Sequence, residues 1–395
     1  IGKLKSISTE PDVMGGRNAV LTCVDDFNEM QRKETRSTLY QNVKSGCLAG
    51  SLLSDAGFFT ACRIIADGQD IYNFAYFEQR KLDEVLVDIE RTEYGFMFIR
   101  GDGAFVFNDR HYRSTALTTS ASFSDTMSGI TYYRSDDDLA TEAETPYTVK
   151  VQKADTTIWT LQSPINIPAG TAASFFGGYL DPTTCRPAPA LGVASPAFGT
   201  GACFFGASDS TGIKSTVDMS GSFTAFAESF KFAASNSGSA TNWLTFMTVT
   251  GCPLISYEQN TARAIDATAC ALYGVRTLVY GGQDLIHTAE KANAFAAFLV
   301  NRFKDPTNLD DVTVVIKNGN DTLWEQILRR ELDDKIALTN TPIGISGIDF
   351  FIGKIDERWS EDGLHIATWQ LERASTQGDF VVDYSEVGGT AGLGY

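Results

Sequence analysis

Charge is distributed unevenly along this chain, and that unevenness limits what it can fold into. Residues 147–258 carry eleven charged side chains, about one in ten, whereas about one residue in four is charged elsewhere. No charge lies between Asp155 and Asp181, and none between Arg186 and Asp209. The apolar runs in this block are short: Ile158-Trp-Thr-Leu161, Ser174-Phe-Phe-Gly177, Phe223-Thr-Ala-Phe-Ala227, Phe230-Lys-Phe232 and Trp243 to Val249. Pro164, Pro168-Ala-Gly170, Pro182 and Ser235-Asn-Ser-Gly238 separate them. Short strands with Gly, Pro and Ser punctuation and no helical period predict a β-sandwich, inserted into a host of different character.

The host alternates helices and strands. Gly46 to Asp55 has apolar residues at helical spacing. Gln79 to Glu93 reads as a stronger helix, with Leu82, Val85, Leu86 and Ile89 on one stripe. It feeds directly into Gly95–Phe107, where Asp102-Gly103 is a hairpin turn. Beyond the sandwich, Ala262–Tyr273 and Asp284–Phe303 read as helices, the second ended by Asp305-Pro306. Asp311–Lys317 reads as a strand, Asp321–Glu331 as a helix capped by Asp321, and Lys335–Leu338 as another strand. Ile348–Arg358 and Leu364–Leu371 flank the turn at Ser360–Gly363. At the start, Ile1–Ile7 and Asn18–Val24 form a hairpin around Gly15-Gly16-Arg17; a hairpin alone is barely stable, so it needs a sheet to join. The expected α+β, mostly β architecture thus has seven parts. They are a hairpin at 1–25, a helix-plus-hairpin region at 26–113, a linker at 114–146, the sandwich at 147–258, a helical region at 259–310, a β region at 311–375 and a flexible tail at 376–395.

Composition excludes functions rather than naming one. The net charge of −17 repels phosphate backbones and disfavours sequence-independent nucleic-acid binding. No long uncharged apolar run suggests a membrane span. The seven cysteines (23, 47, 62, 185, 203, 252 and 270) show no CxxC spacing and read as small buried hydrophobes of a protein folded in a reducing cytoplasm. Cys185 and Cys203 bracket a Pro- and Gly-rich loop and are the one pair worth testing for a bridge.

No catalytic, cofactor-binding or metal-binding set stands out. The chain has no Gly-x-Ser-x-Gly elbow, HExxH motif or phosphate-cradling loop. His111, His287 and His365 fall in three separate segments and read as surface or capping residues. Asp136-Asp-Asp138 and Asp310-Asp311 read as solvated turns; a weak Ca²⁺ site is the sharper alternative, without EF-hand spacing to support it. Trp159, Tyr179 and Trp243 could stack on sugars, although period-two aromatics in a sandwich more often face its core. Asn320-Asp-Thr322 is a formal glycosylation acceptor with no sign of secretion beside it. Gly388 to Gly394 has no strand before it or helix after it, unlike a nucleotide-binding loop.

Several stretches together resemble the tail-tip hub, or minor tail proteins, of long-tailed bacteriophages. Gly15 to Asp25 is similar to the strand and aspartate closing that family's first β-barrel. Leu82 to Arg110 resembles its helix, glycine and hairpin. Ala297 to Pro306, followed by Val312-Thr-Val314, resembles the helix leading into its closing barrel. Asp334 to Leu338, Phe351 to Trp359 and Thr368 to Glu372 resemble that barrel's strands. The likeness covers residues 15–113 and 259–375, and some members carry an inserted sandwich. It makes residues 1–25 the closing hairpin of a first barrel, with further residues expected before Ile1, and residues 311–375 a second barrel.

That resemblance implies a non-enzymatic virion structural protein, a baseplate hub at the tail tip assembled in the host cytoplasm. Such proteins form rings, commonly homotrimers, that continue the tail tube and meet distal tail, tip or fibre proteins. DNA passes through the lumen, so part of the −17 is expected to line the channel, with the charge-poor sandwich outside. Two other readings remain: a host-adhesion module that binds surface glycans through the sandwich, and a cell-wall hydrolase.

Overall fold

Two long antiparallel strands organise the chain: Glu142–Gln152 and Asn242–Ile265, paired from Glu142 opposite Ile265 to Gln152 opposite Leu254 with a register shift between Thr148 and Lys150. The computed structural model describes residues 3–11, 17–58, 62–115, 118–124, 127–134, 139–199, 201–209, 218–280, 285–305, 310–317, 321–360, 363–374, 379–380 and 392–393. Both long strands cross the boundaries expected at 147 and 258, so the sandwich grows out of its host on a shared spine. Its first sheet is completed by Thr156–Thr160, Ile165–Ile167, Ala190–Leu191 and Cys203–Gly206, all on the long strand. Its second sheet is Ala172–Gly178, Ser229–Asn236 and Met219–Ala225. Between them lies a core of Ile158, Tyr179, Phe205, Phe230, Phe232 and Met247.

The helix expected over Ala262–Tyr273 spans only Ala267–Tyr273. Ala262 to Ile265 stay on the strand, paired with Thr145 to Glu142, because ladder partners outweigh the helix preference of two alanines. The Asp266 carboxylate then caps the helix, accepting from the backbone N–H groups of Thr268 at 3.0 Å and Ala269 at 2.9 Å.

In the helix-plus-hairpin region, Leu82, Val85, Leu86 and Ile89 pack on Leu48, Leu52 and Phe105. The helix begins at Leu82 rather than Gln79. Glu78–Lys81 is a strand paired with Glu34–Arg36, and Gln79 adopts φ +57°, outside any right-handed helix. The hairpin is Phe96–Ile99 and Phe105–Asn108, with Arg63–Ile65 parallel to the second strand. Gly95 is obligatory there: a Cβ would lie 2.5 Å from the Asn108 carbonyl oxygen.

The C-terminal region is an open six-stranded sheet curved into a half-barrel, mixed but mainly antiparallel. Its order is Ala121–Phe123, Lys335–Asn340, Ile345–Trp359, His365–Arg373, Asp310–Lys317, Gly129–Arg134. Residues 114–146, expected as a linker, therefore supply both edge strands. One of them is only three residues long, too short to carry a periodic signal. Trp369, Phe350 and Ile316 centre its core, and the helix Asp321–Arg329 adds Leu323 and Ile327. The helix expected from Asp284 starts at Ala289, with the Thr288 hydroxyl accepting from the Lys291 N–H. Its predicted face of Ala292, Phe295, Ala296, Leu299 and Val300 is buried against the long strands.

The N-terminal hairpin, Lys3–Pro11 and Arg17–Val24, pairs only with itself among the described residues. Apart from a pair at each of 379–380 and 392–393, the tail at 376–395 lies outside the described residues, Gly388, Gly389 and Gly394 included. No described helix is long and apolar enough to cross a membrane.

Candidate functional site

A cleft of about 460 Å³ lies where three units meet: the small hairpin, the helix Ala289–Phe303 and the half-barrel. Five cations (Arg110, Arg113, Arg302, Lys354 and Arg373) and three carboxylates (Asp109, Asp333 and Glu372) line it. Arg110 follows the hairpin and is 5% exposed; it pairs with Asp70 and with the fully buried Glu93 at 3.4 Å. Glu93 also accepts from the Ser45 hydroxyl at 2.6 Å and from the Gln69 and Asp70 N–H groups at 3.0 Å. Burial raises the Asp70 pKa from its ordinary value against the opposing pull of Arg110. Burial opposes the Arg110 charge, but Asp70 and Glu93 more than restore it. The guanidinium also sits over Phe295 at 5.4 Å and Phe298 at 5.5 Å.

Arg113 and Arg302 converge on Glu372, one at each of its carboxylate oxygens. Arg113 reaches Asp333 as well, at 2.6 Å, and Arg302 donates to the Tyr94 hydroxyl at 3.1 Å. Each of these three arginines faces a carboxylate, and none of the lining residues is a serine, cysteine or histidine nucleophile. Chemically the arrangement is a brace: charges joined across three units, in which breaking a partner of the buried Arg110, Glu93 or Asp333 costs more than making the pair gains, while Glu372 is 41% exposed. The sequence carries no spacing that announces it, because its members come from 70–113, 302 and 333–373.

The residues singled out from sequence are dispersed. His111 opens a helical turn after the small hairpin, where the Asp109 carboxylate accepts its backbone N–H at 3.1 Å. The other two histidines are buried, correcting the surface reading. The His287 ring faces the Phe74 carbonyl at 2.7 Å and the Thr148 carbonyl at 3.2 Å. His365 stacks on Trp359 at 3.7 Å and contacts Glu357 at 3.2 Å. Both are drawn inside by backbone or aromatic partners that sequence does not display.

No cysteine is bridged. Cys203 lies in the sandwich core, where burial pushes its thiol up to about 12, while Cys185 sits at φ +57° in an exposed turn. Cys23, Cys47 and Cys62 are exposed too, so the expectation of seven small buried hydrophobes holds for Cys203 alone. Trp159 packs on Phe230 at 4.9 Å and on Phe175 at 5.9 Å, and Tyr179 is 1% exposed. Those two rings are core residues and offer no sugar platform; Trp243 is half-buried on the long strand. Asp136–Asp138 and Asn320 lie outside the described residues, and Asp310 and Asp311 begin a strand. Among the described residues no group of three His, Cys, Asp or Glu is placed to hold a metal.

No protein-family model matches the sequence, and no curated protein matches it. Solved structures do. The crystal structure of a tail protein from Neisseria meningitidis MC58 aligns with a TM-score of 0.50 at 8% identity, over 94% of this chain and 79% of that one. A 43 kDa tail protein of prophage MuSo2 from Shewanella oneidensis gives 0.49 at 9% identity, over 94% and 77%. A prophage tail protein from Listeria monocytogenes EGD-e gives 0.42 at 9%, over 95% and 77%. The Neisseria alignment establishes a shared fold. The Neisseria protein whose fold this chain shares is described as a tail protein, as are the other two proteins named.

Proposed function

We propose that this chain is a structural protein of a bacteriophage tail, a hub at the tail tip that forms a ring continuing the tube. The observation that carries the reading is the fold shared with the Neisseria tail protein across 94% of the chain. The brace around Arg110, Arg113 and Arg302 suits such a part, since it stiffens the junction of three units instead of offering a reacting group. A homotrimer is the expected ring, meeting the tail tube and distal tail proteins on one side and tip or fibre proteins on the other.

The electrostatics fit passage of a genome. Only −1 of the −17 falls in residues 147–258, so the host regions carry nearly all the acidity. An acidic lumen cannot release the counterions condensed on DNA, and therefore does not hold it. The sandwich is then the outer domain. Purified protein examined by mass photometry and negative stain is expected to give three-fold rings; a monomer at every accessible concentration overturns the ring. A reconstruction with a net-basic lumen overturns the channel electrostatics.

A further inference from the structure

The segment Leu285–His287 straps two cores together. Leu285 packs into the core of the helix-plus-hairpin region, and Ile286 into the core beneath the long strands. The Ile286 carbonyl accepts the Thr148 N–H at 3.1 Å, so the segment runs beside the first long strand. His287 comes next, 3% exposed, with one ring nitrogen toward each unit. Nε2 lies 2.7 Å from the Phe74 carbonyl oxygen, and Nδ1 3.2 Å from that of Thr148.

A carbonyl oxygen only accepts, and a neutral imidazole carries a single N–H. The neutral ring therefore bonds one carbonyl and turns a nitrogen lone pair toward the other, where water has little access. A second proton replaces that repulsion with a hydrogen bond from a charged donor, which is the stronger kind. Burial opposes the charge, and so do two ammonium groups. Lys150 sits at the Tyr76 hydroxyl at 3.2 Å, and Lys291 is held by the Ile71 carbonyl and by Asn73 at 2.9 Å. The carboxylates on the surrounding elements are engaged elsewhere or exposed. Asp70 pairs with Arg110, Glu142 with Arg263, Glu144 stands opposite Arg263, and Glu290 is exposed. On Tyr40–Lys44, the strand beside Phe74, the Tyr40 hydroxyl bonds Asp55 and Lys44 pairs with Asp67. Tyr72 and Tyr147 pack in the two cores. The balance falls to the two carbonyls, since no tautomer of a neutral ring satisfies both.

We propose that His287 is a proton-operated clamp: its doubly protonated ring ties the strand Ile71–Ala75 to the first long strand, and loss of one proton releases one of the two ties. The folded protein then holds this proton more tightly than the unfolded chain, where histidine titrates near about 6.5. A raised folded value means that the stabilisation is complete below about 6.5 and is lost as pH rises through the folded midpoint. The two units are thus joined more firmly in mildly acidic than in alkaline solution.

NMR of the full chain with isotope-labelled histidine tests the clamp, the His287 ring signal being assigned by its loss in His287→Gln. Should that variant fail to fold, His111→Gln and His365→Gln assign the remaining signal by elimination. The His287 signal is expected to titrate about one unit or more above 6.5, a tenfold tighter hold on the proton. Denaturation midpoints across pH give a second readout. Glutamine keeps an amide donor and does not titrate, while His111 and His365 are common to both proteins and cancel in the difference. The gap between wild type and His287→Gln is expected to be widest below about 6.5 and to narrow as pH rises through the His287 midpoint. A His287 signal that titrates at or below about 6.5, or a gap that does not change with pH, overturns the clamp.

Discussion

Arg113 donates through Nε to the Asp333 carboxylate at 2.6 Å, joining the end of the helix-plus-hairpin region to the half-barrel across 220 positions of sequence. The Asp333 side chain is 2% exposed and accepts a second bond, from Asn108 Nδ2 at 2.7 Å. Asp333 also holds φ +69°, a conformation that Asp and Asn tolerate better than most residues. Asp333→Asn keeps the backbone preference and removes the charge. Because Arg113 retains Glu372, the loss should fall below the full cost of orphaning a buried ion, at about 2 kcal/mol. Urea denaturation of variant and wild type measures it. An unchanged midpoint would remove the brace from the account of stability.

Gly46 lies on the first buried helix, Ser45–Asp55, where it meets the loop after Arg63–Ile65. A Cβ at this position would stand 1.8 Å from the Ala66 carbonyl oxygen. That atom is backbone and cannot rotate aside, so helix and loop must separate. Gly46→Ala is expected to cost roughly 3 kcal/mol, at the upper end for overpacking, despite the better helix propensity of alanine. Thermal melts test the sign: a rise in melting temperature would contradict the close approach.

Legibility in the sequence followed the range of the interaction. The Leu82–Ile89 stripe, the Asp102-Gly103 turn and the buried face of Ala289–Phe303 are local patterns, and each forms as its period predicts. The sandwich was visible as a loss of charge, although its two long strands ignore the edges of the charge-poor block. Gln79 was not legible as a strand residue, because it is the extra residue of a bulge opposite the remote Glu34–Arg36 and holds a positive φ. The cleft was invisible for a related reason. Arg110, Arg302 and Asp333 share no spacing, and each residue alone reads as a solvated charge.

His287 illustrates the same limit and gives a third prediction. Its ring joins the carbonyl of Phe74, in the strand Ile71–Ala75, to that of Thr148, in the first long strand. Replacing it by Leu fills the volume and removes the ring N–H from between two part-buried carbonyls. A loss of about 2 kcal/mol is expected, with His287→Gln recovering part of it through its amide. Hydrogen exchange should then rise at the Ile71–Ala75 strand before it rises in the sandwich core. Equal protection in His287→Leu and wild type would show that the ring does not hold the two strands together.

The Asp266 cap predicts a pH dependence whose sign follows from its bonds. Backbone N–H bonds, Ala269 foremost, and then the Lys304 ammonium at 2.9 Å hold its carboxyl below the ordinary value of 3.8. A depressed folded-state pKa means the unfolded chain binds the proton more readily. The stabilisation is therefore complete well above 3.8 and is lost as pH falls from there through the lower folded value. Near neutral pH, Asp266→Ala removes the cap and should cost about 1 kcal/mol. Asp266→Asn keeps a capping oxygen, loses the pairing with Lys304, and should cost less. Denaturation midpoints for the wild type and Asp266→Asn should converge as the buffer is taken below 3.8, because protonation removes from the wild type what Asp266→Asn already lacks, while Asp266→Ala, without a capping oxygen, stays below both. A gap between wild type and Asp266→Asn that persists or widens at low pH would mean that the carboxylate charge contributes nothing to this helix.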